Sequence, residues 1–220
     1  IRTFALFFTK RGVKELSLNQ RIHMGRIIKK SLGGHFLTLP GYEDTYQFFP
    51  QHGDGAIEFQ KAKDIFERPV EGEMLFRKKL SISIVRLGDV KTYQEKIKSA
   101  LPESKVYEGK NLPGFEKYQS EDEMPHAYIA GPDTGFNEDI SLISYSLMAG
   151  FFGLTQEERQ EWLARYMSKP NKDDRLKLLR EIHESALREA LLVPLFSGPY
   201  TALAKKGWQI KLSKILANNP

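Results

Sequence analysis

Leu80-Ser81-Ile82-Ser83-Ile84-Val85 alternates large apolar and small polar side chains as a strand does, and behind it Val90, Tyr93, Ile97 and Leu101 recur at helical spacing. A second strand is expected near Lys105 to Glu108, then one helical turn at Phe115 to Tyr118. The run His126-Ala127-Tyr128-Ile129-Ala130 reads as a buried strand passing into Gly131-Pro132-Asp133-Thr134-Gly135. Strand, helix, strand, helix, strand is the alternation of an α/β fold.

Toward the start of the chain, Phe4 to Phe8 reads as another buried strand. Leu18 to Leu32 reads as a helix, with Ser17 or Asn19 as its cap, Gly33-Gly34 as its end, and Leu18, Ile22, Met24, Ile27, Ile28 and Leu32 mostly on one stripe. Phe36 to Gly55, rich in Pro, Gly and aromatics, is expected to be an ordered loop. Ala56 to Glu67 is expected to be a helix with Ile57, Ala62, Ile65 and Phe66 inward. Toward the other end, helices are expected at Ser141 to Met148, at Thr155 to Met167 behind the capping box Thr155-x-x-Glu158, and at Asp173 to Ala190. Two short strands, Leu191 to Phe196 and Tyr200 to Ala204, close the pattern around Gly198-Pro199. No repeat, low-complexity run or linker divides residues 1–220, so one α/β unit is expected.

With 220 residues, 28% charged and 40% hydrophobic, the chain can bury a core without cysteine, of which it has none. That composition excludes a disordered chain and a disulfide scaffold. No apolar run reaches the roughly 18 residues that would span a bilayer. The chain opens on Ile1 and a strand-like segment with no charged leader and cleavage site, so localisation is not readable from its start.

The net charge of +5 raises the question of nucleic acid. It is concentrated: Arg2, Lys10, Arg11, Lys14, Arg21, Arg26, Lys29 and Lys30 stand against Glu15 alone in residues 1–34. Without zinc-finger spacing, an aromatic RNA-binding signature or basic-region heptads, no nucleic acid is expected on this segment. The bases are expected on a solvated helix face, or on a face toward a missing part of the protein.

No chemistry-bearing motif survives inspection. His23, His35, His52, His126 and His183 form no His-x-x-x-His or His-x-His pair, so no metal is expected, and His183, on the inner edge of a helical stripe, is expected to be a hydrogen-bonded core histidine. There is no Gly-x-Ser-x-Gly elbow, and neither Gly131 to Gly135 nor Gly53-Asp54-Gly55 matches a phosphate-binding loop. No catalytic residue and no cofactor are expected; a hydrolase using Glu138, Asp139 or Ser197 is the contrasting reading. What remains is Tyr128 to Tyr145. A buried strand there ends in a Gly-Pro turn carrying Asp133, Thr134, Phe136, Glu138 and Asp139, at the edge where open α/β sheets bind ligands. A carboxylate there can hold an ammonium group, or Asp133 only caps the turn and Phe136 only packs.

In order, these pieces resemble the C-terminal lobe of the family 5 extracellular solute-binding proteins, the dipeptide, oligopeptide and nickel-binding components of ABC importers. The resemblance is carried by the opening strand and basic helix Asn19 to Ile28, by Phe48-Phe49-Pro50 with Gly53-Asp54-Gly55, and by Gln60-Lys61-Ala62-Lys63-Asp64-Ile65-Phe66. It continues through the strand and helix from Leu80 to Leu101, through Asn137-Glu138-Asp139-Ile140-Ser141-Leu142, and through Leu192-Val193-Pro194-Leu195-Phe196. The resemblance implies that residues 1–220 are a single lobe of a type II periplasmic-binding-protein-like fold, a mixed sheet flanked by helices, with its partner lobe absent. It implies a monomer that binds a peptide or other small solute by closing two lobes, delivers it to a membrane permease, and works in the periplasm or outside the cell under a signal peptide or lipid anchor. In the family's peptide binders an aspartate shortly after a Trp-bearing strand pairs with the peptide's amino terminus. Tyr128 stands where that Trp would be, and Asp133 is the nearest acid, displaced by Gly131-Pro132. A related branch places such a lobe pair behind a DNA-binding module in sugar-stress regulators, so a ligand-sensing domain is the alternative within the same fold.

Overall fold

The computed structural model describes residues 2–49, 53–71, 76, 79–85, 87, 89–109, 120–131 and 154–199. Five strands form one mixed sheet in the order β3-β2-β4-β1-β5: β1 (Arg2–Phe8), β2 (Ser81–Val85), β3 (Lys105–Gly109), β4 (Ala127–Ala130) and β5 (Leu192–Gly198). β2 runs parallel to β3 and β4, whereas β1 lies antiparallel between β4 and β5. The helices are α1 (Lys10–Glu15), α2 (Leu18–Phe36), α3 (Phe59–Glu67), α4 (Val90–Ala100), α5 (Gln156–Met167) and α6 (Lys172–Arg188), with a 3-10 turn at Glu121–Glu123. The helical turn expected at Phe115 to Tyr118, the helix expected at Ser141 to Met148 and the strand expected at Tyr200 to Ala204 fall outside the described residues.

β1 shows why both faces are covered. Its alternate residues Phe4, Leu6 and Phe8 join a core that includes Ile22, Met24, Ile28 and Leu32 of α2 and Tyr93 and Ile97 of α4. Ala5 and Phe7 point the other way, into a core with Phe48, Phe49, Ala62 and Ile65 and with Leu178, Leu179 and Ile182 of α6. Pro194 has no N–H to give, and the β1–β5 register shifts beside it, pairing Ala5 with Pro194 but Phe4 with Phe196. The Leu195 carbonyl at this bulge accepts the Lys29 ammonium at 2.7 Å, and Lys29 also bonds Asp44 Oδ1 at 2.5 Å and the Thr45 carbonyl at 2.7 Å.

Three elements depart from the sequence reading, one of them α3, which begins at Phe59 and not at Ala56. The Leu18 helix does not stop at Gly33-Gly34; it continues to Phe36, whose ring stacks on Phe196 at 4.7 Å and meets Tyr93 in a tilted contact at 4.7 Å, so burial offsets the helix cost of two glycines. Its start is capped by Ser17, in a reciprocal box with Gln20. The short helix α1, which no periodicity announced, is capped by Thr9. It lies so close to the next layer that a Cβ on Gly12 would stand 2.0 Å from the His126 carbonyl oxygen.

Part of the basic segment differs from the expected solvated or outward face: Lys10, Lys14 and Lys30 are exposed as expected, whereas four other bases turn to main-chain carbonyls. Arg21 donates to the Leu16 carbonyl at 2.7 Å and the Glu189 carbonyl at 2.8 Å, tying the ends of α1 and α6 together. Arg26 donates to the Phe66 and Arg68 carbonyls at the end of α3, and Arg11 to those of Asp122 and Met124. With Lys29, these side chains satisfy helix-end, loop and bulge carbonyls that would otherwise lack donors.

The described parts of the segment between α2 and α3, residues 37–49 and 53–58, are pinned by two buried polar side chains. Gln47 Oε1 accepts the Ile57 N–H at 2.9 Å, and His183, fully buried on α6, receives the Phe48 N–H on Nε2 at 3.1 Å while Nδ1 donates to the Gly55 carbonyl at 3.1 Å. Burial pushes this imidazole down to about 4, against the opposing pull of the Gly55 bond and Glu184. It is the hydrogen-bonded core histidine its position on the helical stripe implied.

Candidate functional site

β2, β3 and β4 are parallel and end together, at Val85, Gly109 and Ala130. β5 ends at the same edge, and antiparallel β1 begins there with Arg2 paired to Gly198. α4 follows β2 and so begins at this edge, and the last turn of α2 lies here too, with the Phe36 ring 4.7 Å from Phe196 of β5. In an open α/β sheet this is the edge at which strand-to-helix loops leave room for a ligand. Asp133, Thr134, Phe136, Glu138 and Asp139 lie outside the described residues; the chain leaves β4 toward them at Gly131.

The described part of the edge has an aromatic floor. The Phe4 ring lies 4.9 Å from Phe196 and 6.3 Å from Tyr42, and Phe36 lies 5.6 Å from Tyr42. Tyr42 follows α2 after a turn in which Gly41 takes a φ of 77°, a conformation that favours glycine. Behind these rings Tyr93 is buried. Its phenol is held well above the usual tyrosine range by burial first, then by Tyr42 and Asp89, with Arg2 acting in the opposite sense. Sequence reasoning missed Arg2, Tyr42 and Tyr93. The available signal was positional: Tyr93 falls in the first turn after β2, and Arg2 at the start of the strand beside β4.

The opposite edge holds a constellation that imitates a nucleophile site. Ser81 Oγ stands 2.9 Å from His126 Nδ1, His126 Nε2 stands 3.4 Å from Glu15 Oε2, and Arg11 holds Glu15 Oε1 at 3.1 Å. The Ser81 backbone N–H, which can only donate, also points at Nδ1 from 3.0 Å. The ring nitrogen facing the serine is thus already an acceptor for main chain, and the His126 N–H bonds back to the Ser81 carbonyl at 2.9 Å. This geometry staples β2 to β4 and α1; it does not prepare a hydroxyl for attack. Ser197, the serine of the hydrolase reading, exchanges both main-chain bonds with Glu43 at 2.9 Å. Among the described residues no group of three or more His, Cys, Asp or Glu is placed to hold a metal ion, and no helix is long and apolar enough to cross a membrane.

At the level of sequence, no family model and no curated protein matches the chain. Solved structures do match. NikA from Brucella suis, solved with Fe(III)-EDTA, is 13% identical with a TM-score of 0.56, the match covering 90% of this chain and 45% of that one. CtaP from Listeria monocytogenes, an ABC transporter substrate-binding protein, gives 9% and 0.59, covering 90% and 43%. Haemophilus influenzae OppA, solved with RPPGFSPFR, gives 13% and 0.54, covering 89% and 42%. The fold is therefore that of the family 5 solute-binding proteins, and the chain spans a little under half the length of these three structures.

Proposed function

We propose that residues 1–220 are one ligand-binding lobe of a solute-binding protein that serves an ABC importer. The lobe holds a peptide or other small solute by closing against a second lobe, and no bond is made or broken in the solute. The observation that carries this reading is the shared end of β2, β3 and β4, after which the sequence continues into the acid-bearing residues 133–139. The named solutes of the neighbours, Fe(III)-EDTA for the Brucella protein and RPPGFSPFR for the Haemophilus one, support a solute of that general size. In this reading Asp133, Thr134, Phe136, Glu138 and Asp139 contact the solute, Asp133 meeting an ammonium group where one is present. The protein works as a monomer in the periplasm or outside the cell and hands its solute to a membrane permease.

Mass spectrometry of small molecules released on denaturing the full-length protein, purified gently from its native host, tests the reading. A stoichiometric peptide, chelate or sugar is the expected result, and Asp133→Ala is then expected to weaken its retention. Empty protein that binds promoter DNA tightly would replace the importer reading with that of a ligand-sensing regulator.

A further inference from the structure

Where β5 begins, at the margin of the sheet, α2, α3 and α6 meet around it and leave an apolar hole of about 20 Å³. Its walls include Ile22 of α2, Ala62 and Ile65 of α3, Leu187 of α6 and Val193 of β5. Of the residues that line it only Tyr46, Phe66 and Arg68 are half-buried, the others being buried, so the mouth opens among these three. Phe59, one of four large apolar side chains exposed among the described residues, extends the rim by an edge contact with Tyr46 at 5.6 Å. Arg26 completes it, donating to the Phe66 and Arg68 carbonyls with its Cζ 5.6 Å from the Phe66 ring centre. Among the described residues Arg26 and Arg68 are bonded only to main-chain carbonyls, with no carboxylate in ion-pair distance. Arg26 keeps Nη1, and Arg68 keeps Nε and Nη1, as donors without a protein partner. Burial holds both guanidinia below the usual arginine range, opposed by Glu67 at Arg26 and by Glu189 at Arg68, where Arg188 and Arg26 push the same way as burial.

We propose that this hole and its guanidinium rim are a docking site for an acidic segment of a partner protein, which inserts the tip of one aliphatic side chain. The hole lies at the start of β5 and the solute edge at its end, so the site stands independently of the solute-binding reading. A volume of about 20 Å³ is little more than one water needs, and apolar walls give a water few partners, so a methyl-sized group fits where an acyl chain does not. Tyrosine, phenylalanine and arginine around a small desolvated hole are the residue types that anchor protein interfaces. The charge sets the sign of the partner: the unpartnered guanidinium donors match the paired oxygens of a carboxylate on either side of the anchor. Residues 200–220 of this chain carry Lys205, Lys206, Lys211 and Lys214 and no acid, which is the wrong sign for this rim.

The test is photo-crosslinking of the full-length protein with an end-blocked pentapeptide in which glutamates flank a diazirine-bearing leucine, and with its lysine counterpart, the label being located by peptide mass spectrometry. The glutamate probe is expected to label Ala62 to Arg68 or Leu187 to Pro194, and the lysine probe to label them about tenfold less. Ala62→Val, which fills the hole, is expected to lower this labelling about tenfold. Arg26→Gln combined with Arg68→Gln is expected to do the same, and carries the test if Ala62→Val does not fold. No label, label elsewhere only, equal label from the lysine probe, or label unmoved by the substitutions would overturn the site. Labelling of the hole by a diazirine fatty acid in phosphatidylglycerol vesicles, with none from the glutamate peptide, would overturn it in favour of a membrane contact.

Discussion

Acid should loosen the protein at His183 before it protonates most of its surface carboxylates. The ring is fully buried, accepts the Phe48 N–H on Nε2 and donates from Nδ1 to the Gly55 carbonyl, so a second ring proton would face the Phe48 N–H donor to donor at 3.1 Å. Burial accordingly holds its pKa near about 4, below the ordinary value of 6.5. With the folded value depressed, the unfolded chain binds more protons between these two values. Stability is therefore unaffected by this group above about pH 6.5 and falls as the pH drops toward 4. Integrated over that window the loss is about 3 kcal/mol. The assay is urea unfolding of wild type and of His183→Gln, which keeps an acceptor and a donor but does not titrate, at a series of pH values from about 7 to about 4. Every other titrating group is common to both, so the difference between the two curves isolates the imidazole. The wild-type advantage is expected to shrink by about 3 kcal/mol across the series. A difference that stays constant over the whole range would refute the claim that the ring is kept neutral by its buried bonds.

Four substitutions probe the packing that shapes the edge and its support. Gly25→Ala places a Cβ 2.7 Å and 2.8 Å from the two γ-methyls of Val193, which no single rotamer clears, so it is expected to destabilise by about 2 kcal/mol despite the helix gain. Adding Val193→Ala should cost less than the sum of the two single changes, and additive costs in urea unfolding would argue against the clash. Gly12→Ala meets the His126 carbonyl, an atom of main chain that cannot rotate away, and is expected to lower the unfolding midpoint by more than Gly25→Ala does. Lys29→Met removes the donor shared by Asp44, Thr45 and Leu195 and is expected to cost about 3 kcal/mol; a variant as stable as wild type would show that the bulge carbonyl does not need it.

Elements whose local pattern agrees with their burial were legible in the sequence. The alternation at Leu80 to Val85, the capping box at Thr155 and Glu158, and the Val90 helix all appear within a residue or so of where they were expected. Misreadings arose where distant contacts decide. Gly33-Gly34 has the local signature of a helix end, but the aromatic stack around Phe36 carries α2 through it. The bases of residues 1–34 look like a solvated face because a sequence shows charge and not the carbonyls that Arg21, Arg26 and Lys29 reach. The edge itself was inferred from Gly131 to Asp139, but Arg2, Tyr42 and Tyr93 belong to three elements that only the strand order brings together.

The sheet order also sets when the molecule can be finished. β1 precedes the other described strands in sequence and sits in the interior of the sheet, between β4 and β5, whose partners for it begin at Ala127 and Leu192. Its six buried residues, Thr3 to Phe8, leave the ribosome well over a hundred residues before either neighbour. Ring closure of that length is slow compared with local helix formation, so α2 and the β2–α4–β3 unit can form while β1 waits unpaired. A chain stopped short of Leu192 would carry an aromatic strand with one side open, the kind of edge that pairs with another copy of itself. Protection of β1 until β5 arrives therefore belongs to the folding of this sheet.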